Sequence, residues 1–148
     1  MKRAGFTMIE LIFVIVILGI LAAVALPKFI GVAEQAHEGK MKAFVGTLDR
    51  TVGPALWSKS LTEGDSGSIK GTNYGATNYI ADLTSQLPLP DEFTGSTYTV
   101  SACGDTNAPT NAFLQGTGDY ADYKVTCVDG NSSSSPDFTL YRGTDIID

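Results

Sequence analysis

At 148 residues with a net charge of −6, the chain has room for one modest domain. The charge is unevenly placed: residues 1–60 carry 7 basic and 4 acidic side chains, net +3, and residues 61–148 carry 3 basic and 12 acidic ones, net −9. An acidic, phosphate-repelling C-terminal part argues against a nucleic-acid site, and the lack of any polar side chain from Leu11 to Leu26 argues against a wholly soluble cytosolic protein.

Met1-Lys2-Arg3-Ala4-Gly5 is short and basic, and from Phe6 to Leu26 the sole charge is Glu10. At 1.5 Å per residue a helix over that stretch reaches roughly 32 Å, against about 30 Å for a bilayer core. Lys2 and Arg3 ahead of it favour a cytoplasmic N-terminus, with everything after Lys28 outside. Ala23-Val24-Ala25 supplies a signal-peptidase-like site, so a soluble secreted binding protein released after Ala25 is one outcome. Glu10 fits that outcome poorly. A carboxylate in an apolar segment costs about 2.5–3.5 kcal/mol near the centre and less towards an end, and a plain secretion signal gains nothing from it. Thr7-Met8-Ile9-Glu10 also fits a capping box, with Phe6 and Leu11 as the hydrophobic staple.

The run Lys2-Arg3-Ala4-Gly5 followed by Phe6-Thr7-Met8-Ile9-Glu10-Leu11-Ile12 resembles the prepilin signature of type IV pilins and type II secretion pseudopilins. The resemblance covers residues 2 to about 30 and includes Gly19 and Pro27, which match helix-loosening positions. It implies that a prepilin peptidase cuts between Gly5 and Phe6 and N-methylates Phe6. It also implies that Glu10 is an assembly carboxylate, paired with the Phe6 amine of a neighbouring subunit. Loss of Lys2 and Arg3 then takes the side-chain charge from −6 to −8. The implied partners are identical subunits in a helical filament, the inner membrane before assembly, the peptidase and the pilus assembly machinery. The implied place is the bacterial inner membrane and then the cell surface, as a type IV pilus-like fibre or, alternatively, as a pseudopilin of a secretion system.

After Pro27 the helical pattern turns amphipathic. Phe29, Val32, Ala33, Ala36, Ala43, Phe44, Leu48, Val52 and Ala55 recur mostly at three, four and seven, predicting one helix from Phe6 to about Val52 that continues irregularly to Lys59 past Gly53-Pro54. Gly31, Gly39, Gly46 and Gly53 each cost such a helix about 1 kcal/mol against Ala. They fit close packing, local melting, or glycines tolerated within tertiary contacts. Residues 61–77 read as loop, and Tyr79, Ile80, Leu83 and Leu87 as a short helix. Alternation predicts strands on Tyr98-Val100-Ala102, Tyr123-Val125-Cys127 and Phe138-Leu140. The expectation is an α+β fold, a long N-terminal helix on a small antiparallel sheet. Its parts are a leader at 1–5, an apolar helix at 6–27, an amphipathic continuation at 28–59 and an outer region at 60–148.

Cys103 and Cys127 are the whole cysteine complement, and outside the membrane a disulfide is the natural expectation, with two buried thiols as the alternative. Closing that loop removes unfolded-state entropy worth roughly 3.5 kcal/mol. Many type IV pilins bracket a surface loop with such a bond near the C-terminus; here the bracket is not terminal. No enzyme signature is present: His37 is the single histidine and supports neither a multi-His metal site nor a Ser-His-Asp arrangement. No cofactor is implied. Some pseudopilins bind calcium in this part of the chain, but Asp119, Asp122, Asp129 and Asn131 lack EF-hand spacing and read as solvated loops. Asn131-Ser132-Ser133 matches the N-x-[ST] glycosylation pattern, with Asp129 two residues before Asn131.

Overall fold

The computed structural model describes residues 5–69, 87–95, 103–104 and 112–147. Helix α1 runs Met8–Thr47 with Pro27 inside it, a π-helical turn follows at Leu48–Val52, and helix α2 runs Gly53–Glu63. Residue contacts divide the chain into two units, one ending at Glu38 and the other running from Gly39.

The expected helix is therefore present, but it starts at Met8 and its far end is regular. Pro54 stands in the first turn of α2, where a missing N–H costs nothing. The Gly53 N–H bonds the Leu48 carbonyl, five residues back, which closes the π turn. A side chain at Gly53 has no room: a Cβ there meets Leu48 O at 2.9 Å and Phe138 Cε2 at 3.1 Å. Gly64, at φ 93°, ends α2 by returning its N–H to Ser60 O.

In the second unit the helical face that packs inward is Met41, Phe44, Val45, Leu48, Val52 and Leu56. Phe44, Leu48 and Val52 were expected there, whereas Ala43 and Ala55 are exposed. The larger side chains win because they remove more apolar area from water. Against them lies a four-stranded antiparallel meander: β1 (Ala112–Gln115), β2 (Tyr123–Val128), β3 (Asp137–Arg142) and β4 (Asp145–Ile146), in the order β1-β2-β3-β4. Expected strands on Tyr123-Val125-Cys127 and Phe138-Leu140 are β2 and β3, and all five of those side chains are buried.

β1 and β4 escape sequence patterning for different reasons. In β1 the register slips between Ala112 and Leu114, so Phe113 and Leu114 are both buried and the two-residue period is lost. β4 has two residues, hung on Gly143 at φ 62°. The expected strand at Tyr98-Val100-Ala102 and the short helix before Leu87 lie outside the described residues, as do positions 70–77 of the 61–77 loop. Helix α2 claims that loop's first three positions, and Gly64 to Ile69 follow as turns.

Asp49, in the π turn, accepts the Phe138 N–H at 3.3 Å and so occupies a backbone donor of β3. The core is completed by Ile69, Phe93 and the Cys103–Cys127 disulfide. Beside the bond, Gly104 pairs in parallel with Val128 through Gly104 N–H to Cys127 O at 2.9 Å and Asp129 N–H to Gly104 O at 3.1 Å.

Candidate functional site

Thr7 is the residue before α1, and its bonds with Glu10 form the capping box. Glu10 Oε2 accepts from the Thr7 N–H and from the Thr7 hydroxyl, both at 2.8 Å, and Thr7 Oγ1 accepts the Glu10 N–H at 3.4 Å. Both bonds to the carboxylate use Oε2. Oε1 takes no part in them.

Above this box the helix is apolar on every side. Phe6 is 90% exposed and Leu21 61%, and among Leu11 to Leu26 Ala25 alone is half-buried. The helix is long and apolar enough to cross a bilayer. Isolated in water such a surface would aggregate, so it needs lipid or other apolar helices around it. Beside Gly19, as beside Gly31, a Cβ would meet open space, so packing within this chain does not require either glycine. Phe29 and Val32, expected on a sheet-facing stripe, are exposed, and the inward face begins at Met41.

Residues 1–26 match the prokaryotic N-terminal methylation motif. The N-terminus is thus of the prepilin type. The chain is also similar to the type IV narrow pilus major component PilA5 of Thermus thermophilus, 49% identical over 43 residues. That match covers 29% of this chain and 37% of the relative, so it spans little more than a third of the relative's length. No solved structure matches. A long apolar N-terminal helix and a small antiparallel sheet make the fold pilin-like, α+β as the sequence led one to expect.

Outside the N-terminal motif, Asp129 is bonded across to the loop after α2 and Asn131 into its own turn. Asp129 Oδ1 accepts from the Ile69 N–H at 2.9 Å and the Gly130 N–H at 3.0 Å, while Oδ2 accepts from the Ser68 hydroxyl. Among the described residues no three His, Cys, Asp or Glu side chains gather as a metal site. His37 is half-buried on α1.

Sequence patterning missed one ionic cluster. Lys40 Nζ lies 3.1 Å from Glu92 Oε1 and 3.5 Å from Asp91 Oδ2, joining residues 52 apart in the chain. The Glu92 side chain is wholly buried and that of Lys40 is half exposed. The hydrogen bond that Lys40 donates to Glu92 holds its ammonium above the ordinary lysine range, against partial desolvation. Its sole sequence signal was an acidic pair after Pro90, which resembles any solvated turn.

Proposed function

We propose that this chain is a structural, non-catalytic subunit of a type IV pilus-like filament. A prepilin peptidase releases residues 1–5 by cutting between Gly5 and Phe6, and Phe6 is then N-methylated. The observation that carries the proposal is the helical stretch from Phe6 to Leu26, which leaves its large apolar side chains exposed and bears one carboxylate, Glu10, near its start. Before assembly that helix sits in the inner membrane with its N-terminus cytoplasmic. In the filament it is surrounded by the same helix of other copies.

Moving from lipid to a bundle of helices yields little hydrophobic gain, because lipid tails are already apolar. Packing and one specific polar pairing must set which subunit docks where. Glu10 supplies the negative partner and the Phe6 amine of the next subunit the positive one. Oε2 is engaged by Thr7, and Oε1 faces the incoming ammonium without any need to open the cap. Desolvation offsets much of the Coulomb gain in such a site, so the pair specifies register more than it adds stability. Repetition of a head-to-tail contact by a screw operation gives an open fibre.

Intact mass and N-terminal sequencing of the mature protein test the processing step. A terminus at N-methyl-Phe6 is expected, and a terminus at Leu26 would instead establish a secreted soluble protein. Long surface fibres built mainly of this chain are the expected assembly. Loss of protein export on deletion, with surface fibres intact, would assign the chain to a secretion pseudopilus.

A further inference from the structure

We propose that Asn131 is the acceptor of an N-linked glycan, added on the outer side of the membrane. Asn131-Ser132-Ser133 has the amide and the hydroxyl at the spacing this modification requires. The structure places the pair at the tip of the β2–β3 connection, where residues Asn131 to Ser134 are all exposed.

The tip is a tight turn closed by the Asn131 N–H to Ser134 O at 2.9 Å. Asn131 Oδ1 accepts from the Ser133 N–H at 2.9 Å, the Ser133 hydroxyl at 2.8 Å and the Ser134 N–H at 3.1 Å. The acceptor amide and its required hydroxyl are thus presented as one unit. All three of these bonds end on Oδ1, and none uses Nδ2, the atom that would receive the sugar.

The base of the loop is held from several sides. Trp57 Nε1–H donates to Asn131 O at 2.7 Å, and Asp129 is bonded inward to Ser68 and Ile69. Gly67 and Gly130 let the two loops touch: a Cβ at Gly67 would strike the Asn131 carbonyl, and one at Gly130 the Gly67 carbonyl. Asp129 is therefore spent on anchoring, and the outward-facing signal is Asn131 with Ser133.

The donor is a lipid-pyrophosphate-linked oligosaccharide. Asn131 Nδ2 attacks the anomeric carbon and an N–C bond forms. The bond from that carbon to the pyrophosphate oxygen breaks, the lipid pyrophosphate leaves with the electron pair, and the amide proton passes to a base of the transferase. The sugar lands where every neighbouring residue of the turn is already solvated, so no buried surface is disturbed.

The test is glycopeptide mass spectrometry on the full chain isolated from its own cells. The expected result is sugar mass on the peptide containing Asn131, lost in Asn131→Gln and in Ser133→Ala, and kept in Ser133→Thr. Since Ser133→Ala removes one hydroxyl and leaves the backbone bonds of the turn, loss there reports on the signal and not on folding. An unmodified wild-type peptide overturns the proposal, as does sugar that persists in Asn131→Gln, which would lie on a serine. The site needs only delivery of this loop across the membrane. The mature N-terminus, read in the same spectra, tests the filament reading separately.

Discussion

The segment before Gly39 and the unit after it solve the burial problem in opposite ways. From Gly39 onward most of the described large apolar side chains are packed within the chain: Met41, Leu48, Phe93, Val125 and Leu140 are wholly buried, and a disulfide ties the core to a neighbouring loop. Among the described side chains from Phe6 to Val32 the large ones are exposed, and the cap at Thr7–Glu10 is the main side-chain bonding described there. One unit carries its own stability. The other must acquire it from whatever surrounds it.

Substitutions can break that contrast, and the largest effect belongs to the exposed segment. Glu10→Gln as sole subunit should leave membrane insertion and leader cleavage intact and reduce filament yield by at least about tenfold, the equivalent of some 1.4 kcal/mol in docking. Normal fibre yield by electron microscopy would leave Glu10 only its capping role. Next comes the core. Phe93→Ala should cost about 3–5 kcal/mol in denaturant unfolding of the second unit, as truncation of a wholly buried aromatic does. Reduction of Cys103–Cys127, or its replacement by serines, should cost roughly 3.5 kcal/mol in the chain-entropy model and lower the melting temperature. Gly53→Ala should cost about 1–3 kcal/mol through the clash with Phe138 and Leu48. Leu18→Ala, in the exposed segment, should leave the second unit's unfolding unchanged within about 0.5 kcal/mol. A larger change would mean the two units are not energetically separate.

The Lys40–Glu92 contact sharpens the same contrast through pH. Because Lys40 titrates above its ordinary value in the folded protein, its contribution is complete below the unfolded lysine pKa and is lost as pH rises through the folded value. The difference in melting temperature between wild type and Lys40→Met should therefore be constant near neutrality and shrink in strongly alkaline buffer. Thermal scans across that range check it.

The N-terminal motif was legible because it is local: Gly5, Phe6, Thr7 and Glu10 lie within six positions, and lipid-length apolarity needs no partner to be seen. β2 and β3 were legible because apolar residues alternate in their sequence, although Thr126, Thr139 and Tyr141 between them are buried as well. β1 was not, because its bulge buries two neighbours in succession. The choice of Met41, Val45 and Leu56 over Ala43 and Ala55 depended on where the helix phase fell, which composition alone does not give. Lys40 and Glu92 meet only after the chain has folded, so their pairing left no mark on nearby spacing.

The π turn has one more consequence. Leu48, Val52, Leu56 and Ser60, all buried, stand four residues apart. On an α-helix each such step rotates the stripe by about 40°, so three steps would carry it a third of the way around the axis. The wider turn at Leu48–Val52 winds the chain back and keeps these positions facing the sheet. It works as a phase corrector, one residue more than a regular helix needs. Deleting Arg50, exposed within that turn, would heal it to a regular α-helix and leave Leu56 in the phase it already has.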